Sequence, residues 1–331
     1  MAGKWYYGDT HMHTTTSDGK MRLYELIARA KKNSLDWIII TDHNADCIEE
    51  SFDSEGLTVI RGQEITVDAG HVNVWGAKIP DNPPYDIPDE KAYADIMERC
   101  RKAGSTVCLN HPYCSQCGFR VPIDNLPADC VEVWNTIQHS DNVRNMNWWV
   151  NQLKQGRHIA AVGGSDYHSD QVGIDMMAMP TTVTFAVSKS PEDILRALRE
   201  GRSVITNKPG TSMIYLTIGE AMLGDTVKLE PGLKGKCKVT KLLPGFEIKI
   251  FNNDTVIYSH KAKKYEKRHD AEFTVREPGF VRAEIDMHLN APIKKLVGYA
   301  ETKYLAPRCE VPPETADELF WAFTNPIWIE E

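Results

Sequence analysis

Histidines and a carboxylate follow the first predicted strand at a spacing that could hold a metal ion. His11 and His13 come soon after the apolar run 5–7, and residues two apart on a strand project from the same face. A polar loop with a turn glycine then brings back Asp18. A lone His-x-His would be typical of an ordinary surface loop, so the metal hypothesis depends on partners further along the chain.

Partners of both types occur at or beside other predicted strands. Imidazole and carboxylate groups together suit zinc, manganese or iron, and so large a set exceeds the ligands of one ion and fits two or three ions. Glu64 can bridge two ions, and a water held between them would have a lowered pKa and act as a nucleophile. We therefore expect a hydrolytic centre in which Glu64 and Asp166 are catalytic. The candidate ligands are His11, His13, Asp18, His43, Glu64, His71, His111, Asp166 and His168.

Two histidines compete for one position in this set. His71 follows Glu64 by seven residues and begins a strand rather than ending one, and His139 is its rival. We favour His71 as the ligand. His139 is then a catalytic or substrate-binding group that protonates the leaving group, and a surface histidine is the alternative.

Other polar residues are candidates for contacts around the metal ions. Arg120 is the basic residue best placed to bind an anionic substrate, since a guanidinium can donate two hydrogen bonds to a phosphate, although a solvated arginine is the alternative. Asn135, at a strand end, is a further substrate-binding candidate. Asp9 and Asp42 are expected to orient imidazole N–H groups.

Cys114 and Cys117 are the one close pair among eight cysteines. A zinc ribbon needs a second such pair, so we expect plain thiols, with a redox pair or an accessory metal site as the alternatives. The last three histidines have no acid at a ligand spacing, and we expect them at the surface. These are His260, His269 and His288.

The elements that must position these residues alternate between strands and helices up to about residue 205. This order is typical of an α/β fold with a mostly parallel sheet, and in an α/β barrel the strand C-termini form the active-site face. From 206 to 331, alternating short strands predict an antiparallel β-sandwich. We expect domains at 1–205 and 206–331, with the tail 321–328 returning to the first. Helices are predicted at 21–33, 89–103, 143–155 and 191–200 from apolar spacing.

Composition limits the classes of function. The 331 residues are 42% hydrophobic and 25% charged, which is typical of a globular protein. A net charge of −8 argues against nucleic acid as a bulk ligand. The first residues lack the apolar core of a signal peptide, and no stretch approaches the roughly 20 apolar residues of a membrane span. We expect a cytoplasmic protein that acts on a small molecule, and the oligomeric state stays open.

In combination, these motifs resemble those of the PHP (polymerase and histidinol phosphatase) superfamily, and more closely its CehA/McbA (carbaryl-hydrolase-like) family. The superfamily motifs are His11-x-His13, Ser17-Asp18-Gly19, Thr41-Asp42-His43, Glu64, Asn110-His111-Pro112 and Gly164-Ser165-Asp166-x-His168. The closer similarity lies in Gly70-His71-Val-Asn-Val, Glu132-Val-Trp-Asn135, Gly201-Arg-Ser203 and Thr324-Asn-Pro-Ile327.

The resemblance implies a distorted (β/α)7 barrel and a trinuclear centre. It also implies phosphomonoester or phosphodiester hydrolysis by a bridging hydroxide. Hydrolysis of a carbamate or carboxyl ester at the same centre is one alternative, and a metal-stabilised binding or scaffold protein is another. The implied ligands are His11, His13, Glu64 and Asp166 for the first ion, Glu64, His71 and His111 for the second, and Asp18, His43 and His168 for the third.

Overall fold

Five helices occur in the part of the chain that the structure describes. This computed structural model describes residues 3–48, 52–54, 56–136, 139–170, 173–300, 302–303 and 318–331. Within these ranges no helix is both long and apolar enough to cross a membrane. The helices are α1 (Leu23–Lys32), α2 (Glu90–Lys102), α3 (His139–Lys154), α4 (Pro191–Arg199) and α5 (Ala291–Ala300).

Capping residues explain where two of these helices begin. Asp89 precedes α2, and its side chain accepts a hydrogen bond from the backbone N–H of Ala92. Ser190 caps α4 in the same way, and Pro191 occupies the first turn. Helix α3 begins at residue 139, four residues before the predicted start, because its first turn is polar and apolar spacing cannot mark it.

The strands divide into those before and after residue 206. The first ten are β1 (Lys4–Asp9), β2 (Trp37–Ile40), β3 (Phe52–Ser54), β4 (Leu57–Val67), β5 (Gly70–Trp75), β6 (Thr106–Leu109), β7 (Cys130–Asn135), β8 (Ala160–Gly164), β9 (Thr181–Ala186) and β10 (Ser203–Thr206). The others are β11 (Met213–Ile218), β12 (Thr226–Lys228), β13 (Lys234–Thr240), β14 (Phe246–Asn252), β15 (Thr255–Lys261), β16 (Arg268–Thr274), β17 (Gly279–His288), β18 (Glu318–Thr324) and β19 (Ile327–Glu330).

The strands that carry the site are mostly parallel, as expected, and one antiparallel strand, β5, lies among them. Strands β1, β2 and β4 run parallel to one another, as do β6, β7 and β8. Strand β5 is antiparallel to both β4 and β6. The physical reason is the two-residue turn between β4 and β5, because a parallel pair needs a much longer crossover.

The sheet order brings the first and last strands of the site close together. The order is β9-β1-β2-β4-β5-β6-β7-β8. Met12, after β1, and Tyr167, after β8, form an isolated parallel bridge. The C-terminal ends of β1 and β8 are therefore neighbours, and the seven-stranded barrel itself stays a prediction.

The strands after residue 206 are largely antiparallel and enclose a core of their own. Strands β11, β13 and β16 form a three-stranded sheet. Ile214 and Val239 of that sheet share one apolar cluster with Ile248 and Ile285 of the larger sheet. Two sheets thus face each other, as alternating short strands predict.

The C-terminal strands also continue the sheet of the first part. Strand β18 pairs with β17 on one side and with β10 on the other. Just beyond β18, Asn325 exchanges two hydrogen bonds with the backbone of Ala161 in β8, at 2.7 and 2.8 Å. The domain boundary near residue 206 stays a prediction, because the sheet crosses it.

Candidate metal centre

The most deeply buried candidate ligands lie on and beside strands β1 and β4, which β2 separates in the sheet. His11 and His13 follow β1, and both are fully buried. Glu64 is also fully buried but lies inside β4, which continues to Val67. Strand β4 does not end before Glu64, because residues 62–64 still pair with β5.

Asp166 joins the two histidines after β1. Its Oδ1 atom lies 3.3 Å from Nε2 of His11 and 3.1 Å from Nε2 of His13. Asp166 has φ of +50°, in the left-handed region that most side chains avoid. The chain therefore accepts backbone strain where it aims this carboxylate at the two imidazoles.

Glu64 contacts imidazoles on both of its carboxylate oxygens. Oε1 lies 3.1 Å from Nδ1 of His71 and 3.5 Å from Nε2 of both His11 and His111. Oε2 lies 2.7 Å from Nδ1 of His43. One carboxylate thus lies within 3.5 Å of four histidines, and Nε2 of a fifth, His13, lies 3.7 Å from Oε2.

The remaining ligands form the solvent-facing side of the centre. Oδ1 of Asp18 lies 3.1 Å from Nε2 of His168 and 3.6 Å from Nε2 of His43. The His13 ring is 4.0 Å from that of His168 and 4.3 Å from that of His43, between centroids. The Asp18 side chain is 57% exposed, so this side is open to solvent.

All nine predicted ligands are therefore in one connected cluster, His71 included. The side chain of its rival, His139, lies outside the described residues. Arg120 is exposed and lines a cavity of about 310 Å³ together with Cys114 and Arg144. Asn135 is buried, and its Nδ2 donates to Glu132 at 2.9 Å.

Glu132 is a site residue that the sequence analysis missed. Its Oε1 lies 3.0 Å from Nδ1 of His11, and its Oε2 accepts a hydrogen bond from the backbone N–H of His111. A carboxylate behind a metal-binding imidazole fixes its tautomer and orientation. The sequence did contain a signal for Glu132, since it is an acid within the apolar run of β7 and a buried charge needs a partner.

Asp9 and Asp42 do not contact imidazole N–H groups as expected. Asp9 accepts backbone N–H groups of Ser165 and Ala178, at 3.0 and 2.8 Å. Burial raises the pKa of Asp9 to about 6, although these hydrogen bonds oppose the rise. Asp42 accepts the N–H of Thr14 at 2.8 Å. Both carboxylates hold the backbone of the ligand segments, because short acidic side chains near loop N–H groups bond to those first.

The electrostatics of the cluster favour cations. Burial would lower the pKa of His11, but Asp166, Glu132 and Glu64 raise it well above its usual value. Burial would raise the pKa values of Glu64 and Asp166, but the imidazoles, His11 foremost, hold both well below their usual range. Nε2 of His11 and Nδ1 of His13 are buried without a hydrogen-bond partner. Such a donor set fits divalent transition-metal ions.

A smaller polar cluster lies between the two C-terminal sheets. Glu266 places Oε2 2.9 Å from Nε2 of His260 and Oε1 2.8 Å from Nδ1 of His269. The two rings stack at 3.7 Å, and both side chains are only about 20% exposed (21% and 17%). The expected surface positions of His260 and His269 are therefore wrong, because the chain folds β15 and β16 towards each other.

Comparisons with known proteins agree with the motif pattern at the level of the domain. Residues 9–113 match the family model described as PHP domain. A comparison with curated proteins finds no match. The CehA/McbA similarity stays a prediction.

Several solved structures resemble the chain at low identity. A two-domain protein from Bacteroides vulgatus, described as containing a PHP-like metal-dependent phosphoesterase, is 16% identical with a TM-score of 0.47, over 97% of this chain and 95% of that one. The lesion-specific endonuclease PfuEndoQ from Pyrococcus furiosus is 13% identical with a TM-score of 0.44, over 59% and 56%. A protein from Bifidobacterium adolescentis described as a metal-dependent phosphoesterase is 16% identical with a TM-score of 0.35, over 51% and 90%.

Proposed function

We propose that this protein is a metal-dependent hydrolase that cleaves phosphomonoesters or phosphodiesters. The observation that carries the proposal is the position of Glu64, whose carboxylate lies 2.7 to 3.5 Å from nitrogens of His11, His43, His71 and His111. A buried carboxylate among four imidazoles fits the shared ligand of adjacent ions. The match of residues 9–113 to the PHP domain supports the same function.

Two or three ions, of manganese, zinc or iron, fit this set of ligands. When bound, they would lower the pKa of a water molecule and neutralise the oxygens of a phosphoester. Each ion takes ligands that already lie together in the fold. We assign His11, His13, Glu64 and Asp166 to the first, Glu64, His71 and His111 to the second, and Asp18, His43 and His168 to the third.

The chain's own residues hold these ligands in orientation. Glu132, 3.0 Å from Nδ1 of His11, leaves Nε2 of that ring as the ligand atom. Nδ2 of Asn110 donates to Oε1 of Glu64 at 2.9 Å and restricts rotation of the carboxylate. Orientation set before substrate arrives lowers the reorganisation that the reaction requires.

Substrate would enter from the side of Asp18 and His168, since Asp18 is exposed and His168 partly exposed, while His11 at the opposite end is buried. Arg120, near the same loop as His111, would bind a second anionic group of the substrate. His139 begins α3, and we retain it as the acid that protonates the leaving group.

Metal content and turnover test the proposal together. Protein purified without chelator should contain two to three ions and should hydrolyse a generic aryl phosphomonoester or phosphodiester. Asp166→Ala should lose both metal and turnover, whereas Asp254→Ala, an exposed carboxylate in a distant turn, should keep both.

Three outcomes would count against the proposal. Full activity of the Asp166→Ala protein would contradict the site. Turnover of aryl carbamates or carboxyl esters, but not of phosphate esters, would shift the substrate class. Protein that binds no metal under any loading condition would favour a binding or scaffold function.

A further inference from the structure

The loop after His111 folds back so that both of its thiols lie beside that histidine. Within residues 112–120, the N–H of Gly118 donates to the carbonyl of Cys114 at 3.0 Å. A Cβ on Gly118 would lie 2.6 Å from that carbonyl oxygen and 2.9 Å from that of Pro112. Glycine is therefore required for so tight a return, which brings the Cys-x-x-Cys segment over the imidazole.

The distance between Cys117 and His111 matches that between two ligands of one ion, whereas the two sulfurs lie about 0.6 Å closer together than two thiolates on tetrahedral zinc. Sγ of Cys117 lies 3.6 Å from Nδ1 of His111 and 3.2 Å from Sγ of Cys114. Tetrahedral zinc, with Zn–N of 2.0–2.1 Å and Zn–S of 2.3 Å, separates a nitrogen and a sulfur ligand by about 3.6 Å. Ligand atoms of His71, His111 and Cys117 all lie within 4.8 Å of one another.

The two histidines can face Glu64 and the thiols at the same time. Oε1 of Glu64 lies 3.1 Å from Nδ1 of His71 and 3.5 Å from Nε2 of His111. A neutral imidazole donates through one ring nitrogen and binds a metal through the other, and a carboxylate behind the ring is the usual partner. Glu64 can therefore orient both rings towards Cys117.

We propose that His71, His111 and Cys117, with Cys114 as the fourth donor, form a sulfur-containing subsite for a thiophilic divalent ion of the zinc class. The two histidines take the place of the second Cys-x-x-Cys pair that a zinc ribbon would supply. This deepens the proposed function, on which it rests through the two shared histidines. It replaces Glu64 by the two sulfurs at the second ion, while Glu64 stays a ligand of the first. A thiolate ligand selects zinc over manganese or magnesium at this end of the centre.

Cobalt substitution reports sulfur ligation without any assay of activity. The full chain is reduced, stripped with chelator and reloaded with cobalt(II), and thiol titration confirms the reduced state. A near-ultraviolet thiolate-to-cobalt charge-transfer band is expected in the wild-type protein. It should weaken in Cys117→Ser and in Cys114→Ser, vanish in the double variant and persist in Cys47→Ser, the third half-buried free thiol of the described residues.

X-ray absorption of the zinc-loaded wild-type protein gives a second readout that needs no variant. A sulfur scatterer at about 2.3 Å is expected beside nitrogen or oxygen at about 2.0–2.1 Å. A zinc spectrum without sulfur, or an unchanged cobalt band in Cys117→Ser, would overturn the proposal. Cys117 would then only accept a hydrogen bond from Nδ1–H of His111.

The outcomes separate this subsite from the proposed hydrolase. Sulfur ligation without phosphoester turnover would support the subsite while the proposed function fails. Turnover that depends on Asp166, in a protein whose ions have no sulfur ligand, would support the proposed function and exclude the subsite.

Discussion

Glu132 and His11 form a buried pair in which Oε1 of the carboxylate lies 3.0 Å from Nδ1 of the imidazole, and both side chains are within 1% of complete burial. The opposite nitrogen of that ring faces Glu64 and Asp166. The orientation of a fully buried candidate ligand, His11, therefore depends on a residue that would itself touch no metal ion.

Glu132→Gln should weaken metal binding while the chain remains folded. The amide keeps the size of the side chain but loses the charge that fixes the His11 tautomer, and loss of such a partner typically costs about 10–100-fold in metal affinity. Competition with a chromophoric chelator measures this affinity. Glu98→Gln, on the exposed side of α2, is the control, and equal affinities in the two variants would exclude the orienting role.

Gly164→Ala should disturb the pair of Glu132 and His11 sterically. A Cβ at this position would contact Oε1 of Glu132 and lie 2.6 Å from Cβ of His11. Overpacking a tight interior costs about 1–3 kcal/mol, so the urea midpoint should fall along with metal content. A variant with the wild-type midpoint and full metal content would show that the pair can move aside.

Asn325→Ala should destabilise the whole chain. The Asn325 side chain pairs with both the N–H and the carbonyl of Ala161 and also contacts Ser203. Each buried backbone group left unpaired costs about 1–3 kcal/mol, which urea denaturation resolves. Asn151→Ala, on the exposed side of α3, is the matched control and should unfold like the wild-type protein.

The acid stability of the C-terminal sheets should depend on Glu266. The backbone N–H of Lys263 and the side chains of His260 and His269 lower the pKa of Glu266 to about 2. Because this value lies below the unfolded value of 4.5, the stabilisation is complete above about pH 4.5 and is lost as the pH falls towards 2.

Glu266→Gln should therefore lose stability at neutral pH and show a weaker decline in stability between pH 4.5 and 2. Urea midpoints measured across this range test the change in slope. Glu272→Gln, an exposed residue of β16, should keep the wild-type slope. Identical slopes for the wild-type and Glu266→Gln proteins would contradict the pKa assignment.

Chelation should lower the melting temperature, and reloading with metal should restore it. The buried carboxylate of Glu64 and the partly exposed one of Asp166 favour cations, so an ion that binds the folded state adds to its stability. Differential scanning calorimetry with and without chelator measures the shift. A melting temperature that changes neither with chelator nor with added metal would argue against a cation at this site.

The sequence predicted the ligands at strand ends because strand geometry gives their spacing a physical meaning. His11 and His13 share a face by the two-residue period, and three-dimensional proximity of strand C-termini unites them with Asp166. Glu132 was not predicted by the same reasoning, because a single acid in an apolar strand does not reveal which residue of another strand it contacts. The antiparallel direction of β5 was not predicted either, because the direction of a strand depends on the length of the turn before it and not on its composition.

Residue spacing also could not predict clusters whose members lie on separate strands or loops. His260 and His269 lie on strands of two different sheets, and Glu266 joins them from the connecting turn. Cys117 contacts His111 because the loop 112–120 folds back at Gly118, and this tight packing is seen only in the structure.

The pairing of β18 with β10 has a consequence for biogenesis. The ribosome completes β10 long before it synthesises β18, so the nascent chain presents an open hydrogen-bonding edge at residues 203–206 until the later strand emerges. The sheet that carries the candidate metal ligands then gains this neighbour only after residues 318–324 have been synthesised. Chaperone engagement during synthesis is expected to concentrate on this interval, before β18 can dock.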